Sequence, residues 1–584
     1  MGQKNFHCKY PTSALESVYP DGFCILHDPN PEKNFHKFQE AVDKVQEATP
    51  KRNVINLSGV IFPANWSMNK WKETASLDRN VSFWNATFQG EVGFDHDWFE
   101  GSIFDYAIFE KKVSFSQCGI QGNLSFRYAK FKEGILFDDA ALPHITFDHA
   151  FFQKEVIVGK DFSLTVYFME MVSFDNATFQ EEVSFTNTIF HKGVTFKNAI
   201  FKGKILLIPT HLKFHAENID TQKFPPETGE VNYDGAQFQQ ETSFDNLIFK
   251  GEVSFRKAIF MKETSFNNTK FQKKADFNGV KFEAEVSFDE TDFMSEVSIG
   301  AQFKLRALFR GKKDALLFAN SVMVDFKNAI FYRPDIIRFS QADLSRCKLF
   351  ETNVRGIDFA EVEWAESVTG SPTLKWIWNQ LCQRELSSSV LFKPGTDFSR
   401  SNGNDCRTSF GNFLWKTLSR KGIYEPTDKK PEELENAYRQ IRQSYEDHRN
   451  YPEAGIFYFG EMTNKRKRLS SIRQYLSLIG LYGVLSGYGQ KPIQASIWLI
   501  VFLLGFSALL IGAGMKNIPS GKPVSIFDFC TVLWAYTFNV VTFKSPLYFT
   551  PDSKWSEFLT IFARILVPIQ ATLFVLAVNR AFKR

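Results

Sequence analysis

Four residues near the start of the chain could hold a metal: His7, Cys8, Cys24 and His27, thiolate and imidazole donors of the kind zinc takes. Cys24 and His27 stand in a C-x-x-H spacing, whereas His7 and Cys8 are adjacent, and a tetrahedral structural site usually shows two separated pairs. Structural zinc therefore competes with an ordinary metal-free cap. A second set lies near the other end. Thr537 lies at the end of the short segment SIFDFCTVLWAYTF, Asn539, Thr542 and Lys544 follow it, and Gln570 sits inside an apolar stretch, with Asp552 and Glu557 in between. Polar groups in such places mark ion paths when they face a shared axis. On that reading the first four line a narrow passage, Gln570 stands deeper, and Asp552 and Glu557 flank the mouth. Ordinary packing and loop polarity are the competing reading. Asp528 suits a helix cap better than a filter charge. No phosphate loop or nucleophile elbow occurs, so an enzyme is not expected.

The elements that must position this second set are apolar helices. Ile493 to Gly514 is nearly uncharged and long enough to cross a hydrocarbon core. Phe558 to Asn579 is as long but carries Arg564, Pro568 and Gln570, which should face protein or water. Between them, Ser525 and Asp528 open a segment too short to span, which suits a re-entrant half-helix. Lys465, Arg466, Lys467, Arg468 and Arg473 precede the first span, and Arg580, Lys583 and Arg584 end the second. Positive charge at both places puts both ends in the cytosol and Gly521 to Glu557 outside. Upstream, PEELENAYRQIRQSYEDHRN and YPEAGIFYFGEMTNKRKRLS read as a helical hairpin, and RQYLSLIGLYGVLSG as an apolar stretch lying along a membrane surface.

The rest of the chain has a different rhythm. Of 584 residues 64 are phenylalanine, yet mean hydropathy is −0.23, so the rings alternate with polar residues. Phe244, Phe249, Phe255, Phe260, Phe266, Phe271 and Phe277 step alternately by five and six. Phe174 to Phe201 keep the same beat, with Leu207 and Leu212 in the next two slots. Two positions before each ring stands a small or branched residue, as at Val172, Ala177 and Val183. This suits a chain that turns a corner after each short strand. The beat lapses at Ile208 to Gly229 and around Gly311 to Asn320, where insertions are expected.

The repeat F-x-N-A-x-F-x-x-E-V-S resembles that of the pentapeptide-repeat family in its phenylalanine variant. The resemblance implies a right-handed quadrilateral β-helix with the rings and the smaller residues pointing inward. AYRQIRQSYEDHRNYPEAGIFYFGEM, GYGQKP and ATLFVLAVNRAFKR are similar to bacterial pentapeptide-repeat proteins whose C-terminal domain is related to two-span ion channels. After the half-helix this chain reads TFNVVTFKSP, without the glycines of a potassium filter, which argues against potassium selectivity.

The expected organisation is an N-terminal cap (1–80), a pentapeptide-repeat β-helix (81–362), a linker (363–430), a helical hairpin with a juxtamembrane helix (431–486) and a two-span α-helical transmembrane domain (487–584). The expected partners are the lipid membrane, inorganic ions, further copies of the chain in a homotetramer, and an unknown cytoplasmic ligand or protein on the β-helix. A net charge of +4 without a basic stripe argues against nucleic acid, and acids mixed with lysines argue against a rod that mimics DNA. Seven scattered cysteines suit a reducing compartment, and MGQKNFHCKY lacks a secretory core. The expected location is the inner (plasma) membrane, multi-pass, with the N-terminal domain and C-terminus in the cytoplasm. The function classes left open are a gated, weakly cation-selective pore and a membrane-tethered interaction scaffold without conductance.

Overall fold

A computed structural model describes residues 24–206, 229–368 and 419–582, apart from 51–52, 67–70, 72–79, 95–97, 160–165, 518–520, most of 525–548 and a few positions besides. These form two compact units, the second beginning in the main at Trp364.

The first unit is a β-solenoid. Its strands stack in parallel ladders of 13, 12 and 12 members, with a fourth face split into runs of 5 and 3. In the coil around residue 174, Val172, Phe174, Ala177, Phe179, Val183 and Phe185 are all buried, so the ring and the smaller residue before it both point inward. The register between coils is strict: Phe88 pairs with Phe109, Phe109 with Phe131, Phe131 with Phe152 and Phe152 with Phe179. Like therefore meets like, and along this face ring centroids lie 5.0, 4.9, 4.9 and 4.8 Å apart with the planes nearly parallel. Burying one such ring contributes roughly 2–3 kcal/mol.

The corners explain the asparagine of the repeat. In most coils the backbone enters the left-handed region two residues after a ring, as at Asn85 (φ 54°), Asn176 (59°), Asn198 (54°) and Gly279 (71°). Asparagine and glycine tolerate that conformation better than other residues.

The ladder begins earlier than the phenylalanine beat suggests. Ile55 pairs with Val81 and Phe62 with Phe88, so a first coil lies inside the stretch assigned to the cap. Leu57 and Val60, both fully buried, take the places that Phe83 and Ala86 hold in the next coil, which is why counting phenylalanines missed it. A cap helix, Phe35–Ala48, closes this end, with Asn34 accepting from the Lys37 amide and Phe38 set edge-on against Phe62 at 5.6 Å. Residues 207–228, which include Leu207, Leu212 and most of the first lapse, lie outside the described residues, but the ladder resumes in register across them, Ile205 pairing with Thr242. At the second lapse a tight Lys312–Ala315 turn takes up the extra residues, and Phe318 still stacks on Phe293 at 5.5 Å.

The second unit contains the hairpin helices Pro431–Asp447 and Tyr451–Lys467. Glu461 accepts from Arg439 and Arg442, and Glu435, 2% exposed, accepts from Arg439 and Arg468. Within the stretch read as linker, Ala365–Val368 pairs antiparallel with Ser419–Gly422, and Trp364 donates to the Tyr445 hydroxyl at 2.9 Å. A short collar helix, Leu478–Ser486, is N-capped by Ser477. Two long apolar helices follow, Pro492–Ala513 and Lys554–Phe582, packed against each other and long enough to cross a membrane.

Candidate functional site

The two long apolar helices, called the first and second candidate span, expose large aliphatic faces, among them Ile493 and Ile497 on the first and Ile561, Ile565 and Val575 on the second. A surface of that kind suits lipid or another protein. Against each other the spans bury Leu510, Ala563 and, at one end, Met515 and Phe549. Met515–Asn517 and Phe549–Pro551 form an antiparallel pair that ties the end of the first span to the start of the second.

The polar residues of the spans are placed unequally. Gln570 is fully buried, and its amide donates to the carbonyls of Ala495 at 2.8 Å and Leu485 at 3.1 Å. It thereby joins the second span to the first and to the collar helix. Among the described residues its Oε1 finds no partner, nor does the buried Nε of Arg564. Pro568 cannot donate to the Arg564 carbonyl one turn earlier, because proline lacks an N–H. Of the two acids expected at a pore mouth, Asp552 lies 2.5 Å from Lys516 Nζ in an ion pair, and Glu557 stands in the first turn of the second candidate span, where a negative charge complements the helix dipole. Thr537, Asn539, Thr542 and Lys544 lie outside the described residues, as do Ser525 and Asp528.

Sequence reading missed Ser553 and Gln494. Ser553 donates to the Ala513 carbonyl at 2.7 Å and caps the second span. Gln494 donates to the Gly483 carbonyl at 3.1 Å and so clamps the collar helix. The available signal was a lone glutamine two residues into an apolar run.

At the other end Cys24 Sγ and His27 Nδ1 come within 2.9 Å, so two of the four proposed metal donors share one turn. His7 and Cys8 lie outside the described residues, and among the described residues no group of three potential ligands forms. Lys33 is beside them, buried, donating to the carbonyls of Asp28 and Ile61 and lying 4.5 Å above the Phe38 ring. Burial pushes its ammonium down to about 8, and burial together with the Lys33 charge holds His27 below the ordinary imidazole range.

The solenoid offers two surfaces. Ser243, Ser265 and Ser287 lie between Leu206 and Leu308 in a groove of about 460 Å³, with Glu241, Glu263 and Glu285 also lining it. Elsewhere Tyr106, Tyr128 and His149 occupy left-handed corners of successive coils and stack at 4.7 and 4.4 Å, with Trp84 tilted against the first.

Four faces of parallel ladder, their inward slots filled by buried rings and smaller apolar residues, make the first unit a β-solenoid. A family model described as "Pentapeptide repeats (9 copies)" matches residues 168–203. No curated protein and no solved structure matches the chain.

Proposed function

We propose that the chain forms an oligomeric pore in a membrane, gated or regulated through its β-solenoid, with weak preference for cations. The observation that carries this reading is the second span. Arg564 Nε and Gln570 Oε1 are buried polar atoms that one pair of helices leaves unsatisfied, and such atoms in a bilayer call for partners from further helices or a water-filled path. A homotetramer would supply them and would gather the Thr537 to Lys544 segments around one axis, as two-span pores do. Without a ring of glycine carbonyls, selectivity would rest on side chains and pore width.

The placement of Gln570 favours a second reading. Its amide is engaged in holding three helices together, which suits an anchor whose solenoid presents the serine groove or the aromatic corner to a cytoplasmic partner. Conductance separates the two. Purified protein in planar bilayers should conduct, and Asn539→Asp and Lys544→Glu should each raise cation preference. Absence of conductance in every lipid tried would leave the anchored scaffold. Mass measurement of the intact particle reads the subunit number directly.

A further inference from the structure

We infer that the segment from Lys465 to Leu481 is a docking surface for the headgroups of anionic phospholipid. The inference rests on the two-span reading and adds to it a lipid class and a place.

Its apolar residues are turned outward. Ile472 is 73% exposed, Leu476 71% and Leu478 87%, values that water does not favour for three neighbouring aliphatic side chains. Cations stand among them. Arg468 and Lys467 are already engaged with Glu435 and Glu425. Lys465 and Arg473 are exposed, and among the described residues no carboxylate pairs with either. Arg466 lies 5.8 Å over the Tyr475 ring, which brings a third cation to the same surface.

Position decides the occupant. The collar helix is fixed to the start of the first span by Gln494 and to the second span by Gln570, and Arg580 donates to the Tyr488 carbonyl at 3.1 Å in the turn between. Only Gly487 to Lys491 separates the collar from the first span. Once that span enters a bilayer, the collar and the segment before it are held at the level of the headgroups. There the aliphatic side chains can enter the acyl boundary while Lys465 and Arg473 meet phosphate, as in amphipathic segments that lie in an interface. An acidic protein would answer the cations but not the exposed aliphatics beside them.

The test uses the full chain in detergent, titrated with phosphatidylglycerol or phosphatidylcholine and read by native mass spectrometry. The parent should bind phosphatidylglycerol more tightly. Each cation near an anionic surface is worth about fivefold, so Lys465→Gln with Arg473→Gln should weaken phosphatidylglycerol roughly 25-fold and leave phosphatidylcholine unchanged. Leu476→Ser with Leu478→Ser should weaken both lipids. Equal binding of the two lipids by the parent, or a charge variant that binds like the parent, overturns the proposal. Inorganic phosphate that displaces phosphatidylglycerol also overturns it, because the site would then be an anion pocket. Alkaline carbonate extraction of membranes tests the underlying reading separately: release of the parent ends the two-span reading, while retention without lipid preference ends only this one.

Discussion

Replacing Phe255 by alanine should open the solenoid locally, and by a calculable amount. The ring is fully buried, stacked 5.1 Å from Tyr233 on one side and 5.1 Å from Phe277 on the other, with Phe244 and Phe266 edge-on at 5.3 and 5.6 Å. The cavity cannot close by collapse, because the strand carrying Val253 is held in register with Val231 and Ala275. The cost therefore belongs within the range for such truncations and not below it, at about 4 kcal/mol. Phe255→Leu keeps most of the volume and should cost about 1–1.5 kcal/mol. Because a coil contacts only its neighbours, the loss should be local, so hydrogen exchange followed by peptide is the assay. Peptides around residues 231–277 should exchange roughly a thousandfold faster in the alanine variant, and about tenfold faster in the leucine variant. Ile248→Ala, at a residue 49% exposed, should change little. Equal acceleration by alanine and leucine, or acceleration spread evenly over the whole solenoid, would refute the stacked-ring account.

Three other outcomes follow from the contacts described. Glu461→Gln leaves Arg439 and Arg442 without their shared carboxylate and should destabilise the hairpin by about 2–3 kcal/mol, read as a lowered thermal midpoint. Lys33 is held at about 8 in the folded cap, so between pH 8 and about 10 the unfolded chain binds a proton that the folded cap does not. Cap stability should rise with pH across that window, and Lys33→Met should abolish the rise in hydrogen exchange of the cap helix. For topology, Cys530 is exposed and Thr550 lies on the tie between the spans, whereas Ser553 is a cap and a poor probe. In a Cys530→Ser background, Thr550→Cys should react with an impermeant thiol reagent on intact cells and Ser401→Cys should not; the reverse pattern refutes the orientation.

The solenoid was legible in the sequence because most of its ring slots are filled by phenylalanine at a nearly constant spacing. Leu57 shows the limit: a slot holding a different apolar residue keeps its place in the core but drops out of the count. The two long apolar helices were legible from length and composition alone. What Gln570, Gln494 and Ser553 bond to was not, since a lone polar residue in an apolar run declares that it needs a partner without naming it. The antiparallel strands at Ala365–Val368 and Ser419–Gly422 were hidden for another reason. Their pairing joins segments far apart in sequence, and neither carries a periodic pattern of its own.

The strict register of the ladder makes whole coils interchangeable parts. Val231, Val253 and Ala275 occupy the same slot in three successive coils, so excising residues 253–274 would bring Ala275 to the place Val253 held, beside Val231, with every inward ring still facing a ring. The rod would shorten by one strand spacing, about 4.8 Å, and neither end would change. Duplication of the same stretch would lengthen it by the same step. Genes encoding such a chain can therefore gain or lose length in whole units without redesigning the core, and the first unit behaves as a ruler graduated in coils.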